Sequence, residues 1–227
     1  MNLDPSVFER QVAWLAARCR VVTLDEAVAE IGGAGPVEPG VALTFDDGTA
    51  DWADVVAPTL VEHCVPATFY LTTGYPEGDL EHPCGERSIS WAGVAELMAS
   101  GVATIGSHTH SHLLLDRLPP DEIAGELDRS IDLIGQHTGS APLHFAYPKA
   151  VDPSRPAHLA VRSRFVSASL AGTHANRAGD DVHRLARSPI QVADSFDDFQ
   201  RKVGGGMGFE DLVRSRLNAV RYRRATR

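Results

Sequence analysis

The chain has 227 residues, of which 43% are hydrophobic and 22% charged, with 20 Gly and 14 Pro. This profile excludes disordered, collagenous and membrane-embedded classes and fits one soluble globular unit, long enough to bury a core without disulfides or a structural metal. Lys and Arg number 21 against 30 Asp and Glu, a net charge of -9, which removes nucleic acid from the expected partners.

Ser6-Val-Phe-Glu9 is a capping box followed by Phe8, Val12 and Leu15 at helical spacing, which predicts a first helix to Arg18. Thr23-Leu-Asp-Glu26 repeats the signal, and a Gly/Pro-rich loop from Gly32 to Gly40 leads into Val41-Ala-Leu-Thr-Phe45, read as a buried strand ending on Asp46-Asp47-Gly48. Trp52 to Cys64 is helical in pattern despite Pro58, and Ala67 to Thr72 reads as the second strand. Ala92 to Ser100 is a predicted helix stopped by Gly101, before a strand over Val102 to Ile105 that ends at Gly106-Ser107.

Pro119-Pro120 opens a helix whose Ile123, Leu127, Ile131 and Ile134 share one face, and Leu143 to Ala146 is a fourth strand closing on Tyr147-Pro148. Phe165 to Ser169 and a segment near Ile190 continue the series, so a parallel α/β sheet, open or closed into a barrel, is expected. Residues 1–203 are expected to form the main domain, with a break at Gly204-Gly-Gly-Met-Gly208 and an Arg-rich tail, so that 204–227 stands apart.

Three polar clusters end predicted strands: Asp46-Asp47, His108-Thr-His-Ser-His112, and Tyr147-Pro148-Lys149. The C-terminal rim of a parallel α/β sheet is where catalytic groups gather. Two adjacent acids cannot both sit comfortably ionised, so a cation or a shared proton must settle the conflict. His108 and His112 are four apart and can share one ion from a tight turn, leaving His110 aimed elsewhere. One Asp with two His leaves open coordination positions, as a catalytic zinc requires, although the same donor set also describes a non-haem iron oxygenase.

Thr44-Phe-Asp-Asp-Gly48, His108-Thr-His-Ser-His112 and Phe145-Ala-Tyr-Pro148, in that order, resemble the motifs of the polysaccharide deacetylase family, the NodB-homology or carbohydrate esterase 4 fold. The Phe-Ala-Tyr-Pro form is most similar to the poly-N-acetylglucosamine deacetylase branch. Pro58, Pro66-Ala-Thr-Phe69 and Trp91 also sit where that family places similar residues, so the likeness runs roughly from Ser6 to Ile190.

The resemblance implies a distorted (β/α)7 barrel, here without its usual first strand, and metal-dependent removal of an N-acetyl group from an amino sugar or glycan. It makes Asp46 the general base and Asp47, His108 and His112 the ligands of a divalent metal, zinc first, with cobalt, nickel or manganese as alternatives. The backbone N–H of Lys149 takes the oxyanion position, Tyr147 lines the groove, His183 is the candidate acid, and Arg187 orients Asp46.

The family more often carries Tyr-Gly where this chain has Lys149-Ala150, which alters the groove wall. The family's Leu-x-His motif has no clean match, so a weakened enzyme that only binds carbohydrate is the second reading. Cys19, Cys64 and Cys84 lack a CxxC pair, and the N-terminus shows no basic and apolar leader pattern. A cytoplasmic protein is therefore expected. Arg214, Arg216, Arg221, Arg223, Arg224 and Arg227 interleave with Leu217 and Val220, so the tail could touch anionic lipid at the inner membrane face.

Overall fold

The computed structural model describes residues 3–33, 38–82 and 85–206. Helix α1 runs over Pro5–Arg18, starting earlier than the capping box suggests, because Asp4 caps it by accepting from the Ser6 N–H at 2.9 Å. Pro5 fits the first turn, where its missing N–H costs nothing. Strand β1 (Arg20–Val21) pairs in parallel with β2 (Gly40–Val41), and between them α2 (Leu24–Gly32) starts on the expected Thr23–Glu26 capping box.

The predicted strand after the Gly/Pro loop is divided. Val41 belongs to β2, and β3 starts at Leu43 and runs on through both acids to Asp47. A five-stranded parallel sheet then follows in the order β3, β4 (Ala67–Leu71), β5 (Ala103–Ser107), β6 (His144–Ala146), β7 (Ser167–Ser169). Every residue of β4 is buried, as expected for a parallel strand covered on both faces. The register sets Asp47 opposite Leu71 and Leu71 opposite Ser107, so the polar clusters share one rim. β3, β4 and β5 pair over five residues each, whereas β5 and β6 share only Ser107 with Phe145.

Helices cover the outer face. The stretch from Trp52 to Glu62 begins as a π-turn over Trp52–Val56, in which the Ala57 N–H reaches back to the Trp52 carbonyl, and continues as α3 (Ala57–Glu62). Pro58 explains the widening, since it has no N–H to donate and its ring crowds the preceding turn. Helices α4 (Gly74–Glu77), α5 (Trp91–Ala99), α6 (Pro120–Thr138), α7 (Arg155–Arg162) and α8 (Phe196–Val203) complete the order. One core cluster packs Val12, Trp52, Leu60, Phe69 and Leu97 between α1, α3, α5 and the sheet. A second packs Leu127, Phe145, Tyr147, Val161 and Phe165 under α6 and α7. On the inner face α2 closes the sheet with Leu24 against Tyr70, Ala146 and Leu185.

The expected strand near Ile190 does not form. The chain instead pairs with β7 through Leu185, and Gly172 N–H bonds the Arg187 carbonyl, which carries Arg187 to the rim. Pro189 follows at once and cannot donate to a ladder. The result is a parallel half-barrel of the distorted (β/α)7 kind. Among the described residues no helix is long and apolar enough to cross a membrane. Cys84 and the Arg-rich tail lie outside the described residues, while Cys19 and Cys64 carry free thiols.

Candidate active site

Asp47 is the last residue of β3 and takes a left-handed φ of 82°, followed by Gly48 at 117°. A Cβ at Gly48 would stand 2.8 Å from Leu71 Cδ1, so the turn needs glycine on both grounds. The Thr72 N–H bonds the Asp47 carbonyl at 3.0 Å and ties the turn to the end of β4.

His108 follows β5 and is almost fully buried. Its Nδ1 lies 2.7 Å from the Ala146 carbonyl, which can only accept, so the proton sits on Nδ1 and the Nε2 lone pair is free. Thr109 and His112 both take left-handed φ, 70° and 54°, and the His112 N–H bonds Thr109 Oγ1 at 3.0 Å. This tight turn folds His112 back toward β3. His112 Nε2 then lies 3.2 Å from Asp47 Oδ1, and His108 Nε2 lies 3.5 Å from the same oxygen.

The three ligand atoms lie within 4.8 Å of one another. Two donors about 2.1 Å from a common tetrahedral ion would be about 3.4 Å apart, so the donor set fits a divalent metal of zinc's size. Its chemistry fits as well. Burial lowers the His108 pKa against the pull of Asp46 and Asp47, in the direction of the neutral imidazole that a metal requires. Burial would raise the Asp47 carboxyl, but the hydrogen bond from His112 and the charges of His108, His112 and Lys149 hold it well below the usual carboxylate range.

Asp46 is held differently. Arg187 donates from two nitrogens to its two oxygens at 2.7 and 2.9 Å and also reaches Thr44 Oγ1 at 2.9 Å. The guanidinium carbon lies 5.1 Å from the centre of the Tyr70 ring, whose hydroxyl is 3.0 Å from Ser169 Oγ. Burial pushes the Tyr70 phenol up to about 12, so it stays neutral under the cation. For Asp46, burial works to raise the pKa, and the Arg187 charge, His108 and the Arg187 hydrogen bonds outweigh it. The adjacent acids thus have separate partners, Arg187 for Asp46 and two histidines for Asp47. Asp46 Oδ2 stands 4.0 Å from His108 Nε2, at the edge of the ligand set.

The structure thus brings Asp46, Asp47, His108, His112 and Arg187 together. Lys149 stands on the same rim, exposed, in a 3-10 turn over Pro148–Ala150 with φ 56°. Tyr147 is turned away from these groups: it is 2% exposed, its ring meets Phe145 edge-on, and its hydroxyl lies 3.4 Å from His158 Nδ1. Alternation along the strand sends Tyr147 to the same face as Phe145, under the helices. His183 is likewise turned away, with Nε2 2.8 Å from the Phe165 carbonyl at the opposite end of β7. Sequence reasoning missed Thr44, Tyr70 and the Ala146 carbonyl. Thr44 could have been found from its spacing of two from Asp46, whereas a backbone acceptor leaves no residue-type signal.

The rim of the parallel α/β half-barrel thus carries a two-His, one-Asp group that could hold a metal ion, beside a second acid clamped by Arg187. The sequence profile of the polysaccharide deacetylase family matches residues 34–162. The chain belongs to that family. A curated relative, the peptidoglycan-N-acetylglucosamine deacetylase of Bacillus cereus, is 29% identical over 103 residues, which cover 45% of this chain and 33% of the relative. The chain thus matches about a third of that relative's length.

Among solved structures, the Streptococcus pyogenes deacetylase PplD in complex with acetate is similar with TM-score 0.78 at 20% identity, covering 88% of this chain and 87% of that one. IcaB from Ammonifex degensii is similar with TM-score 0.78 at 22% identity, covering 89% of each chain. The de-N-acetylase from Aggregatibacter actinomycetemcomitans is similar with TM-score 0.73 at 19% identity, covering 87% of this chain and 88% of that one. At these identities the likeness is one of fold.

Proposed function

We propose that the chain is a metal-dependent hydrolase that removes an N-acetyl or similarly small acyl group from an amino sugar in a glycan or glycosylated metabolite. The observation that carries this reading is the juxtaposition of the Asp47, His108, His112 donor set with a second carboxylate, Asp46, that Arg187 keeps ionised. A divalent ion held there, zinc or else cobalt, nickel or manganese, supplies Lewis-acid polarisation of the amide and a more acidic water.

Asp46 takes the proton of the attacking water, because it is the ionised acid beside the ligand set. Arg187 fixes both oxygens, so the carboxylate loses no orientation when the proton arrives. Since Arg187 also makes protonated Asp46 a strong acid, the same group can hand that proton to the departing amine. The backbone N–H of Lys149, on the rim next to these groups, is assigned the developing oxyanion. This division of labour needs neither Tyr147 nor His183.

Elemental mass spectrometry on protein purified without an affinity tag, beside acetate release from a panel of N-acetylated sugars, tests the reading. One divalent metal per chain, lost in His112→Ala, with acetate release is expected. Metal uptake with no acetate release under zinc, cobalt, nickel or manganese would instead favour a protein that only binds carbohydrate. No metal uptake at all would sink both the ligand assignment and the chemistry.

A further inference from the structure

We infer that His82 is a positioning residue for the metal-ligating turn, an assignment that rests on the reading of Asp47 as a ligand. His82 is 6% exposed and lies in the connection between α4 and α5, far in sequence from any of the three motifs. Its Nε2 is 3.2 Å from the Gly48 carbonyl. A carbonyl only accepts, so His82 donates and its Nε2 carries the proton.

His82 thus ties its side chain to the backbone of the Asp46-Asp47-Gly48 turn. The Gly48 carbonyl also receives the Ile89 N–H at 2.9 Å, so both of its lone pairs are used. The second donor, Ile89, follows Ser88, which pairs with Thr49. Together with the Thr72 N–H on the Asp47 carbonyl, the two donors fix successive peptide planes on the C-terminal side of Asp47. That backbone is held in a left-handed conformation unusual for an Asp, which persists only where its surroundings over-determine it.

The imidazole is itself held. It lies flat on Tyr75, with ring centres 3.8 Å apart and planes 14° apart, and Tyr75 is buried. Stacking fixes the ring plane, and the ring plane aims the N–H. Outer-shell hydrogen bonds made directly to metal ligands change affinity about 10- to 100-fold, which sets the scale for a bond that acts through the turn next to Asp47. The predicted consequence is a turn that points the Asp47 carboxylate at His108 and His112 before any ion arrives.

Two substitutions separate positioning from packing. His82→Phe keeps the ring and its stack on Tyr75 but removes the donor, whereas His82→Gln keeps an N–H at similar reach and loses the ring. Zinc affinity, measured by competition with a chromogenic chelator, should fall about 10-fold or more in His82→Phe and recover most of that loss in His82→Gln. The visible absorption of the cobalt-loaded protein should change in His82→Phe and resemble wild type in His82→Gln.

Metal-free melting, followed in parallel, should not reproduce that order. Zinc affinity and cobalt spectrum unchanged in His82→Phe would overturn the inference, as would a His82→Gln variant no better than His82→Phe. A wild-type chain that takes up no metal removes the underlying reading and this inference with it. Wild-type uptake with an unaffected His82→Phe removes the inference alone.

Discussion

Arg187 stands 141 residues from Asp46 in the chain, and the two meet in a paired contact at 2.7 and 2.9 Å. The contact joins the first strand of the five-stranded sheet to the segment that follows its last. Replacing Arg187 with Ala should leave metal content intact and lower turnover about 100-fold or more, because a general base that is misoriented forfeits most of its contribution. Arg187→Lys should rescue little, since one ammonium cannot donate to both oxygens in the fork geometry. Acetate release and metal content on the same preparations check both statements, and full activity in Arg187→Ala would discard the positioning role.

The two adjacent acids should separate cleanly. Asp46→Ala is expected to keep its metal and lose turnover by about 100-fold or more, whereas Asp47→Ala should lose both. Elemental analysis beside a turnover assay distinguishes them, and loss of metal in Asp46→Ala would exchange or merge their roles.

Ala150 sits at φ 50° directly after Lys149 at φ 56°, where an L side chain meets the following carbonyl. Ala150→Gly should therefore stabilise the chain by about 0.5–1 kcal/mol, after allowing for glycine's greater freedom when unfolded. Calorimetry should show melting raised by about 1–4 °C. A lower melting temperature would mean that the Ala150 methyl makes contacts worth more than the strain it causes.

His144 is fully buried, with Nδ1 2.9 Å from Ser167 Oγ and Nε2 3.1 Å from Asp25 Oδ1. Burial lowers its pKa below 6.5, and Asp25 opposes this only in part. The unfolded chain therefore takes up this proton first as pH falls. Stability from this group is fully present above its ordinary pKa of 6.5 and declines as pH drops from there toward the lower folded value. A His144→Gln variant should lose stability less steeply than wild type between about pH 7 and pH 5. Parallel melting curves across that range test it, and equal slopes would show that His144 titrates alike folded and unfolded.

Much of the rim was legible because its chemistry is carried by residue type. Asp46-Asp47 after an apolar run and His108 four from His112 are readable wherever a strand ends, and the order of motifs adds family resemblance. Arg187 came to Asp46 only through the family resemblance, and the structure shows its guanidinium on both carboxylate oxygens. What stayed hidden depends on which face a residue takes. Tyr147 and Asp46 both lie at strand ends, yet one points under the helices and the other into the half-barrel. Alternation pairs Tyr147 with the face of Phe145, but which face of β6 lies under the helices is set by its register against β5 and β7. The Ala146 carbonyl that orients His108 is a backbone atom, and His82 acts across a 34-residue separation from Gly48. Helix boundaries shifted for local reasons that can be stated: Asp4-Pro5 starts α1 early, and Pro58 opens a π-turn.

The sheet is not equally sewn. Three strands on one side run together over five residues each, while β5 meets β6 at the single pair Ser107 and Phe145. The rim groups are divided across this seam: Asp46, Asp47, His108 and His112 on one plate, Lys149 and Arg187 on the other. Side-chain contacts stitch the plates instead: His108 to the Ala146 carbonyl, Arg187 to Asp46 and Thr44, and the Tyr70 hydroxyl to Ser169 Oγ. Under the proposed function a sugar beside the metal would span both plates, and the width of the seam would become a dimension of the substrate. Residues lining that joint, rather than the proposed metal ligands, would then be where selectivity for one acyl sugar over another is tuned without disturbing the chemistry.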